Sequence, residues 1–582
     1  MLILGISAFF HDSAAALVVD GEVVAAAQEE RFSRLKHDAD LPVQAARFCL
    51  EQAGISIADV DHVVFYEKPL RKFERILTTH LREFPRSLPQ FPRSFATWLG
   101  KRLWMKGELC QRLGCTPQQL LFSEHHLSHA ASAFLCSPFD RAAIFTVDGV
   151  GESATTSIYR GSSDDHGSQI ELIEELHFPH SIGLLYSALT AYLGFEVNEG
   201  EYKVMGLAAY GTPCYGAKFA ELCTIADDAS LTLDLRYFRF HRHPTRSFTS
   251  ALETLLGPAR TPTAPLHLPA RSDDDQRFAD IAASLQELTE RYLLRLAERA
   301  KRLTGERNLC LAGGVALNCV ANHRIQSEGP FEQLFVQPAA GDAGGALGAA
   351  LWATHVLHRL PRREPLRHAF LGAAYAEDEI ARFLSECGVK FRLFGDRDRV
   401  NDEVARLLAA RQVGGWFQGR FEWGPRALGA RSILADPRDP KALDRVNQKI
   451  KFREPFRPFA PAVLAEEAGR WFELPDGQPD ALTPFMCSVV PVKQEARAQL
   501  PAVTHVDGTA RVQTVDRKTN PVFHGLVEAF RRQTGVGVLL NTSLNLKDEP
   551  LCASPAEALG VFLRSDLDFL VLENCLVEKR PE

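Results

Sequence analysis

The sequence predicts an α/β protein whose N-terminal part contains two related lobes. Apolar, β-branched runs typical of buried strands alternate with helical stripes along the chain. Two strand–turn–strand units of similar pattern occur around Asp20-Gly21 and Asp148-Gly149, each with polar or acidic residues at its turn. Beyond Leu366 the composition changes, because basic residues gather among glycines. We therefore expect a duplicated N-terminal domain followed by a separate C-terminal domain.

The composition bounds the class of protein. A chain of 582 residues exceeds what one hydrophobic core supports. Its net charge of −7 does not suit a broad nucleic-acid footprint, so no nucleic-acid partner is expected. The 12 cysteines form no CxxC pair, which indicates a reducing cytoplasm. The chain shows no basic leader and no apolar run of about 20 residues, so no membrane partner is expected.

The first part of the chain reads as a strand, a hairpin, a helix and another strand, over residues 2–7, 14–30, 41–54 and 61–66. Two polar residues, His11 and Lys36, flank these strands. A surface turn would explain each of them, but we favour a pocket.

Residues 68–114 form a basic stretch with interleaved Phe and Trp. Such a stretch could contact a phosphate, a membrane surface or an anionic substrate. The preferred interpretation is a pair of surface helices whose apolar faces dock on a core.

His125 and His129 are candidates for a metal site. If their segment is helical, both imidazoles leave the same face one turn apart. The next run, AAIFTV, predicts a buried strand ending at Asp148, and open α/β sheets bind ligands at the carboxyl ends of strands. Two imidazoles and a carboxylate suit zinc, iron(II) or manganese. A chance HxxxH before a plain turn is the alternative, and His126 adds ambiguity because it is nearly co-facial with His129.

Two glycine-rich strand ends follow. LCLAGGVALN ends in Gly313-Gly314 and opens toward Asn318, a pattern that lets backbone amides approach a phosphate or nucleoside. In LFVQPAAGDAGGALGAA a strand ends at Gly341-Asp342 and a small-residue helix begins. We expect Asp342 to be the fourth metal ligand. A shell of two imidazoles and two carboxylates suits iron(II) or manganese as readily as zinc.

The predicted domain boundary lies beyond these motifs. A helical stripe over 278–303 is interpreted as core, and a basic, proline-bearing segment follows at 355–365. We place the domains at 1–358 and 366–582.

The C-terminal domain concentrates cations and small polar side chains beside glycine turns. These residues are Arg420, Arg426, Arg431, Lys449, Lys451, Arg453, Arg457, Arg511, Asn541, Ser543 and Asn545. Guanidinium forks, an ammonium group and small polar donors are what a polyphosphate site needs. A solvated basic surface is less favoured, because the cations alternate with Phe, Trp and Pro rather than with Glu.

Together the motifs resemble the NodU/CmcH-type O-carbamoyltransferases over nearly the whole chain. The segments that carry the resemblance are FFHDSAAALV, AQEERFSR-KH, HHLSHAASAF, TVDGVGE, GGVALN, GDAGGALGAA, GRFEWGPRALGARSIL, NQKIKFREPFRPFAP and LNTSLN.

The resemblance implies a two-part fold and a two-step reaction. An actin-like (ASKHA), two-lobed domain precedes a YrdC-like α/β domain. In the second domain carbamoyl phosphate and ATP give carbamoyl-adenylate, which passes inside the protein to the first domain. There an acceptor hydroxyl on a small molecule takes the carbamoyl group. A divalent metal is implied in the first domain, and Mg²⁺ can accompany ATP.

The family's functional positions match residues of this chain. The metal-ligand positions are His125, His129, Asp148 and Asp342. The nucleotide contacts of the first domain are Gly314 and Asn318, and the acceptor or carbamoyl positions are His11 and Lys36. The carbamoyl phosphate and ATP positions are Arg426, Lys451, Arg457, Arg511, Asn541 and Ser543. The catalytic candidates are His11, Lys36, Arg426 and Lys451. His11 is interpreted as the general base because it is the one imidazole beside the active lobe outside the metal set.

Other functions stay open. One is a tRNA threonylcarbamoyl transferase, which the net charge and the FREPFRPFAP segment oppose, and another is a non-catalytic nucleotide-binding protein. Residues 68–114 and 209–275 match no family motif, so the acceptor can be an aminoglycoside, a cephem, a macrolide sugar or a lipo-oligosaccharide. The oligomeric state is also open, with a homodimer as one option.

Overall fold

The computed structural model describes residues 1–85, 87–88, 91–92, 104–243, 245–262 and 264–579. Parts of the two stretches without a family motif, at 86, 89–90, 93–103, 244 and 263, lie outside these residues. The chain divides into two compact units. Unit 1 comprises Met1–Glu29 and Asp38–Pro365, and unit 2 comprises Glu30–His37 and Leu366–Glu582. No sequence pattern had indicated that an N-terminal segment would belong with the C-terminal unit.

The described residues of unit 1 form two five-stranded sheets and a small two-stranded one. Its strands are β1 (Leu2–Ser7), β2 (Ala14–Val19), β3 (Glu22–Gln28), β4 (His62–Phe65), β5 (Leu120–Phe122), β6 (Arg141–Val147), β7 (Ala154–Asp164), β8 (Gly167–His177), β9 (Cys223–Ile225), β10 (Leu231–Leu233), β11 (Asn308–Ala312) and β12 (Gln333–Val336). The sheet orders are β3-β2-β1-β4-β5, β8-β7-β6-β11-β12 and β10-β9.

The two large sheets share one topology. In each, the first three strands form an antiparallel meander, and two later strands add in parallel to the first strand. The repeat confirms the duplication predicted from the two strand–turn–strand units, and it agrees with the two-lobed organisation that the resemblance implies. In the first hairpin Asp20 and Gly21 both have positive φ, 48° and 88°, as a tight two-residue turn requires.

Helices cover the sheets of unit 1. They are α1 (Val43–Gln52), α2 (Pro69–Arg82), α3 (Met105–Leu113), α4 (His125–Phe134), α5 (Ile182–Tyr192), α6 (Glu201–Ala208), α7 (Gly216–Leu222), α8 (Ser250–Leu256), α9 (Asp273–Thr304), α10 (Cys319–Glu328) and α11 (Asp342–Leu351). The helices predicted at 41–54, around His125 and over 278–303 are confirmed. The predicted strand before Asp342 ends earlier, at Val336, and Asp342 itself begins α11.

Glycines allow α11 to approach its neighbours at backbone distance. A Cβ atom on Gly348 would lie 1.7 Å from the carbonyl oxygen of Ser128 in α4. A Cβ atom on Gly5 in β1 would lie 1.9 Å from the carbonyl oxygen of Ala346 in α11. Only glycine permits such contacts, so these two positions press α11 against α4 and the first sheet.

Unit 2 is built on a mixed eight-stranded sheet. Its strands are β13 (Arg392–Leu393), β14 (Gly414–Phe417), β15 (Arg431–Ala435), β16 (Ala460–Leu464), β17 (Val490–Pro491), β18 (Thr509–Ala510), β19 (Gln513–Val515), β20 (Val538–Ser543), β21 (Phe569–Leu572) and β22 (Cys575–Glu578). The large sheet has the order β13-β22-β21-β14-β15-β20-β16-β19, and β17 pairs with β18. The longer helices are α12 (Glu377–Glu386), α13 (Arg397–Ala409), α14 (Pro521–Thr534) and α15 (Pro555–Leu563). The predicted α/β fold class is confirmed in both units.

Within the described residues, no helix combines the length and the apolar character needed to cross a membrane.

We expect Gly348→Ala to destabilise the protein. The added methyl group would overlap the Ser128 carbonyl, and overpacking of this kind costs about 1–3 kcal/mol. The free energy of unfolding from urea denaturation measures the effect. The control is Gly216→Ala in α7, where a Cβ atom meets nothing within 4 Å and a gain of up to about 1 kcal/mol is expected. Equal effects of the two variants would contradict the close helix approach.

Candidate functional sites

Four side chains meet at a buried point of unit 1. The Nε2 atoms of His125 and His129 lie 3.2 Å apart, and each lies 3.1–3.2 Å from Oδ2 of Asp148. Oδ1 of Asp342 lies 3.7 Å from His125 Nε2 and 3.6 Å from His129 Nε2. His125, His129 and Asp342 are buried, and Asp148 is nearly so. The structure thus brings together all four residues expected to hold a metal.

The spacing of these atoms fits a coordination shell. Ligands about 2.1 Å from one ion are separated by about 3.0–3.4 Å in octahedral or tetrahedral geometry. The observed separations of 3.1–3.7 Å fall close to these values. Two imidazole nitrogens at 3.2 Å would otherwise face each other with a proton on only one of them. The donor set therefore suits a divalent ion.

The fold places three of the four candidate ligands at the start or end of an element, and the fourth, His129, one turn into α4. His125 begins α4, so the two imidazoles project one turn apart, and Asp148 directly follows β6. Asp342 begins α11, where the positive end of the helix dipole favours a carboxylate. The buried carboxylate of Glu152 accepts the backbone N–H of His125 at 2.9 Å and that of Lys68 at 2.8 Å. Glu152 therefore caps the helix that carries both histidines.

His126 lies outside this set. Its Nδ1 is 2.6 Å from Thr146 Oγ1 and 3.0 Å from Ser157 Oγ. Burial and the two neighbouring imidazoles hold the pKa of His126 well below its usual value. His126 is a neutral core residue, which removes the ambiguity that the sequence left.

A tyrosine supports the fourth ligand. The buried Tyr66, directly after β4, donates its hydroxyl hydrogen to Oδ2 of Asp342 at 3.2 Å. Oδ1 of the same carboxylate is left to face the histidines. The sequence placed Tyr66 at the end of a strand but suggested no role. Its place at the carboxyl end of a parallel strand was the available signal.

The ligands hold one another in complementary charge states. Burial lowers the pKa of His129, but hydrogen bonds and charges of Asp148 and Asp342 raise it to about 9. Burial raises the pKa of Asp148, yet hydrogen bonds from His125 and His129 bring it well below its usual value. Carboxylates that remain ionised at this depth attract a cation strongly.

His11 lies within electrostatic reach of the same group. Its Nδ1 is 2.9 Å from Oδ2 of Asp12, and its side chain is about one-fifth exposed. Burial lowers the pKa of His11, but Asp342, Asp12 and Asp148 together raise it to about 10. Asp12 has a φ of +50°, so the backbone is locally strained beside this imidazole.

The two residues expected to contact a nucleotide in unit 1 are Gly314, which borders the candidate metal ligands, and Asn318, whose side chain is hydrogen-bonded within the protein. A Cβ atom on Gly314 would lie 3.2 Å from Oδ1 of Asp148, so the backbone of Gly314 borders the metal set. The side chain of Asn318 accepts the N–H of Ala321 and exchanges hydrogen bonds with the amide of Gln286. Asn318 therefore caps α10.

Lys451 is the central cation of unit 2. It is buried, and its ammonium donates to the carbonyl and hydroxyl oxygens of Ser543 at 2.5 and 3.0 Å. It also donates to the carbonyl and side-chain oxygens of Asn545. Burial and the nearby charges of Arg453 and Arg457 lower the pKa of Lys451 well below its usual value. We refer to Lys451, Ser543 and Asn545 as the Lys451 cluster.

The arginines of unit 2 separate into two kinds. Arg420 donates to the carbonyl oxygens of Leu371 and Gly372, and Arg431 donates to those of Ala373, Gln418 and Ala430. The guanidinium of the fully buried Arg431 also stacks on Phe417, with 3.5 Å between its central carbon and the ring centroid. These two arginines, which the sequence grouped with the phosphate site, are structural.

Arg426 is different. It is half-buried, and its side chain has no hydrogen bond or ion pair with any residue that the structure describes. It lies on a loop, residues 424–430, whose C-terminal half is held by hydrogen bonds. Oε1 of the buried Glu422 accepts the N–H groups of Leu428 and Ala430 at 2.7 and 2.8 Å. The loop thus presents a guanidinium whose donors remain available.

The remaining predicted residues lie around this loop and the Lys451 cluster. Asn541 donates to the carbonyl of Ala427 at 3.2 Å, so it supports the Arg426 loop. Arg457 contributes to the lowered pKa of Lys451. Burial first, and then the charge of Arg511, lower the pKa of His505 to about 4, against the opposing effect of Asp507.

Lys36 belongs to unit 2 rather than to the metal set. It lies in Glu30–His37, the N-terminal segment that clusters with the C-terminal unit. Its charge contributes, after burial and the two arginines, to the lowered pKa of Lys451. The sequence had left Lys36 between an acceptor and a carbamoyl position.

Comparisons with known proteins agree over both units. The chain matches the family model "Carbamoyltransferase N-terminus" over residues 2–351 and "Carbamoyltransferase C-terminus" over residues 405–579. It is 46% identical to an uncharacterised protein of Synechocystis sp., covering 100% of this chain and 97% of that protein. It is 40% identical to nodulation protein NolNO of Sinorhizobium fredii, covering 98% and 79%. It is also 40% identical to the 3'-hydroxymethylcephem-O-carbamoyltransferase of Amycolatopsis lactamdurans, covering 46% and 48%.

We expect Tyr66→Phe to weaken divalent-metal binding about 10–100-fold, because Asp342 loses the hydrogen bond that orients it. Competition with a chelating metal indicator measures the dissociation constant directly. The matched control is Tyr292→Phe, which also removes a buried hydroxyl, one that contacts Thr156 rather than a ligand. Equal metal affinity in the two variants would show that Tyr66 does not support the site.

Proposed function

This chain belongs to the carbamoyltransferase family, and we propose that it is an ATP-dependent O-carbamoyltransferase with one reaction site in each unit. The observation that carries the proposal is the pairing of two chemically different centres in one chain. Unit 1 holds a buried set of two imidazoles and two carboxylates, and unit 2 holds a buried lysine and an arginine with free donors.

The first half-reaction is assigned to unit 2. Carbamoyl phosphate, ATP and water give carbamoyl-adenylate, pyrophosphate and phosphate. A carbamoyl group is a poor electrophile because its nitrogen donates into the carbonyl, and attachment to AMP supplies a good leaving group. Arg426 offers unused donors to phosphate oxygens, while the donors of Lys451 already face protein oxygens. We therefore assign direct phosphate contact to Arg426. Lys451, whose charged ammonium form a bound anion would favour, stabilises the phosphate charge without contact, together with Lys36, Arg457 and Arg511.

The second half-reaction is assigned to unit 1, where an acceptor hydroxyl displaces AMP. A divalent ion held by His125, His129, Asp148 and Asp342, with iron(II) preferred over zinc or manganese, would supply a Lewis acid for an anionic oxygen. Asp12 orients His11 through Nδ1. Because the charges of Asp342 and Asp148 contribute to the raised pKa of His11, a divalent ion that offsets these charges would lower the pKa and leave Nε2 unprotonated, able to take the hydroxyl proton. The backbone of Gly314 borders the same centre and suits the nucleotide phosphate. Asn318 serves this site by fixing the start of α10.

The acceptor is assigned as a hydroxyl group of a small molecule. One relative carries in its name a transfer to the oxygen of a 3'-hydroxymethylcephem. An alcohol becomes nucleophilic when a base removes its proton, which is the role given to His11.

The test uses purified, metal-reconstituted protein with ATP, carbamoyl phosphate and a panel of hydroxylated natural products. We expect pyrophosphate release that requires carbamoyl phosphate, and acceptor products heavier by one carbamoyl group in mass spectrometry. The same assay with threonine, bicarbonate and bulk tRNA added tests the threonylcarbamoyl alternative. Pyrophosphate release that ignores carbamoyl phosphate, or product on tRNA alone, would refute the proposal.

Variants should separate the two half-reactions. Arg426→Ala should slow carbamoyl phosphate-dependent pyrophosphate release about 10²–10³-fold, yet still use preformed carbamoyl-adenylate. His11→Ala should show the reverse pattern, with transfer slowed about 10²–10⁴-fold. Rapid-quench kinetics of each step provide the measurement. Loss of both steps in either variant would contradict two separate sites.

A further inference from the structure

Residues Glu30–His37, here called the strap, belong to unit 2 although the chain on either side of them belongs to unit 1. The strap begins with a single helical turn, Glu30–Ser33. Contacts from both halves of the strap anchor it. Arg31 donates to the carbonyl of Gly424 at 2.9 Å, and Phe32 packs edge-on against Phe421 with 6.2 Å between centroids.

Arg34 makes the most extensive of these anchors. One arm of its guanidinium donates to the carbonyl of Leu551 at 2.8 Å, and the other donates to that of Pro550 at 2.9 Å. The guanidinium also lies 3.1 Å from Oε2 of Glu557, with both side chains about one-quarter exposed. Glu557 in turn accepts the N–H of Ala553 and caps α15. Arg34 thus joins the strap to a rigid helix start.

The loop that Arg34 holds also contacts Lys451. Lys451 contacts Ser543 and Asn545 at one end of this loop, and Arg34 contacts its other end at 550–551. The backbone N–H of Cys552 closes the loop on the carbonyl of Leu544 at 3.0 Å. Lys36 lies two residues beyond Arg34 in the same strap, and its charge is the smallest of the causes that lower the pKa of Lys451, after burial, Arg453 and Arg457.

Two residues of the strap, Arg34 and His37, have strained backbone conformations. Arg34 has a φ of 61° and His37 a φ of 55°, the left-handed region that residues with a Cβ atom rarely adopt. The N–H of His37 is held by Oε2 of Glu30 at 2.9 Å. Such conformations persist only where surrounding contacts over-determine them, and they concentrate at functional sites.

We propose that Arg34 is a positioning residue for the activation site of unit 2. It contacts no substrate itself but fixes the strap and the 543–552 loop, and so presents Lys36 to the anion bound near Lys451. The inference rests on the proposed function, because it assigns Lys36 and Lys451 to the half-reaction that consumes carbamoyl phosphate.

The test compares full-length variants in carbamoyl phosphate-dependent pyrophosphate release. Because hydrogen bonds from a charged group are lost, we expect Arg34→Ala to raise the KM for carbamoyl phosphate at least about tenfold. Arg34→Lys, which reaches only one carbonyl, should fall between Arg34→Ala and the wild type. It also provides the measurement if Arg34→Ala fails to fold. Transfer from preformed carbamoyl-adenylate and the affinity for metal should be unchanged.

A double-mutant cycle distinguishes positioning from general stability. If Arg34 acts through Lys36, then Arg34→Ala should have little further effect on the KM in a Lys36→Ala background. The matched control is Arg445→Ala, because Arg445 also donates to two carbonyls and a carboxylate in unit 2, with 30% side-chain exposure. That control should lower the melting temperature without changing the KM.

The outcomes separate the inference from the function on which it rests. A wild-type protein without carbamoyl phosphate-dependent pyrophosphate release would refute the proposed function. A wild-type protein that shows this release, with an unchanged KM in Arg34→Ala and Arg34→Lys, would overturn the role of Arg34 alone. So would equal effects of Arg34→Ala with and without Lys36.

Discussion

Two imidazole nitrogens 3.2 Å apart, facing two carboxylates in a buried site, are the arrangement on which unit 1 depends. Such a group is costly to bury unless protons or a cation balance it. Contacts with the surrounding structure hold the four side chains in place. Gly348 lets α11 bring Asp342 beside α4, Glu152 fixes the first turn of α4, and Tyr66 occupies the outer oxygen of Asp342. The site is therefore preorganised by backbone contacts as well as by its ligands.

In unit 2 the partner of each cation decides its role. Arg431 is buried and its donors end on carbonyl oxygens, whereas the donors of Arg426 remain unused among the described residues. Lys451 lies between these cases, because its charge is buried while its hydrogens face protein oxygens. A substrate anion gains most from a guanidinium that need not first give up a partner. The basic composition of this region therefore does not indicate which arginine or lysine side chain binds a substrate anion.

The strap shows that chain order and structural membership differ in this protein. Eight residues near the N-terminus join the unit formed by the C-terminal third of the chain, so the chain crosses between the units three times. The first two crossings flank the strap directly. A substitution in this N-terminal segment is therefore expected to change the structure of unit 2, because Arg34 holds the loop at 550–551.

The sequence alone determined the α/β class and the duplicated hairpins, because hydrophobic periodicity and turn residues are local signals. It also predicted the four candidate metal ligands, which the structure brings together, from strand ends and from helical spacing. Only the tertiary structure decided which neighbouring histidine stays outside that set, and which arginines are structural. It also placed Lys36 with Lys451, over four hundred residues apart in sequence. Tyr66, Glu152 and Arg34 had no assigned role for the same reason. Their functions come from partners distant in sequence, and residue type does not encode the distance between two atoms that only folding brings together.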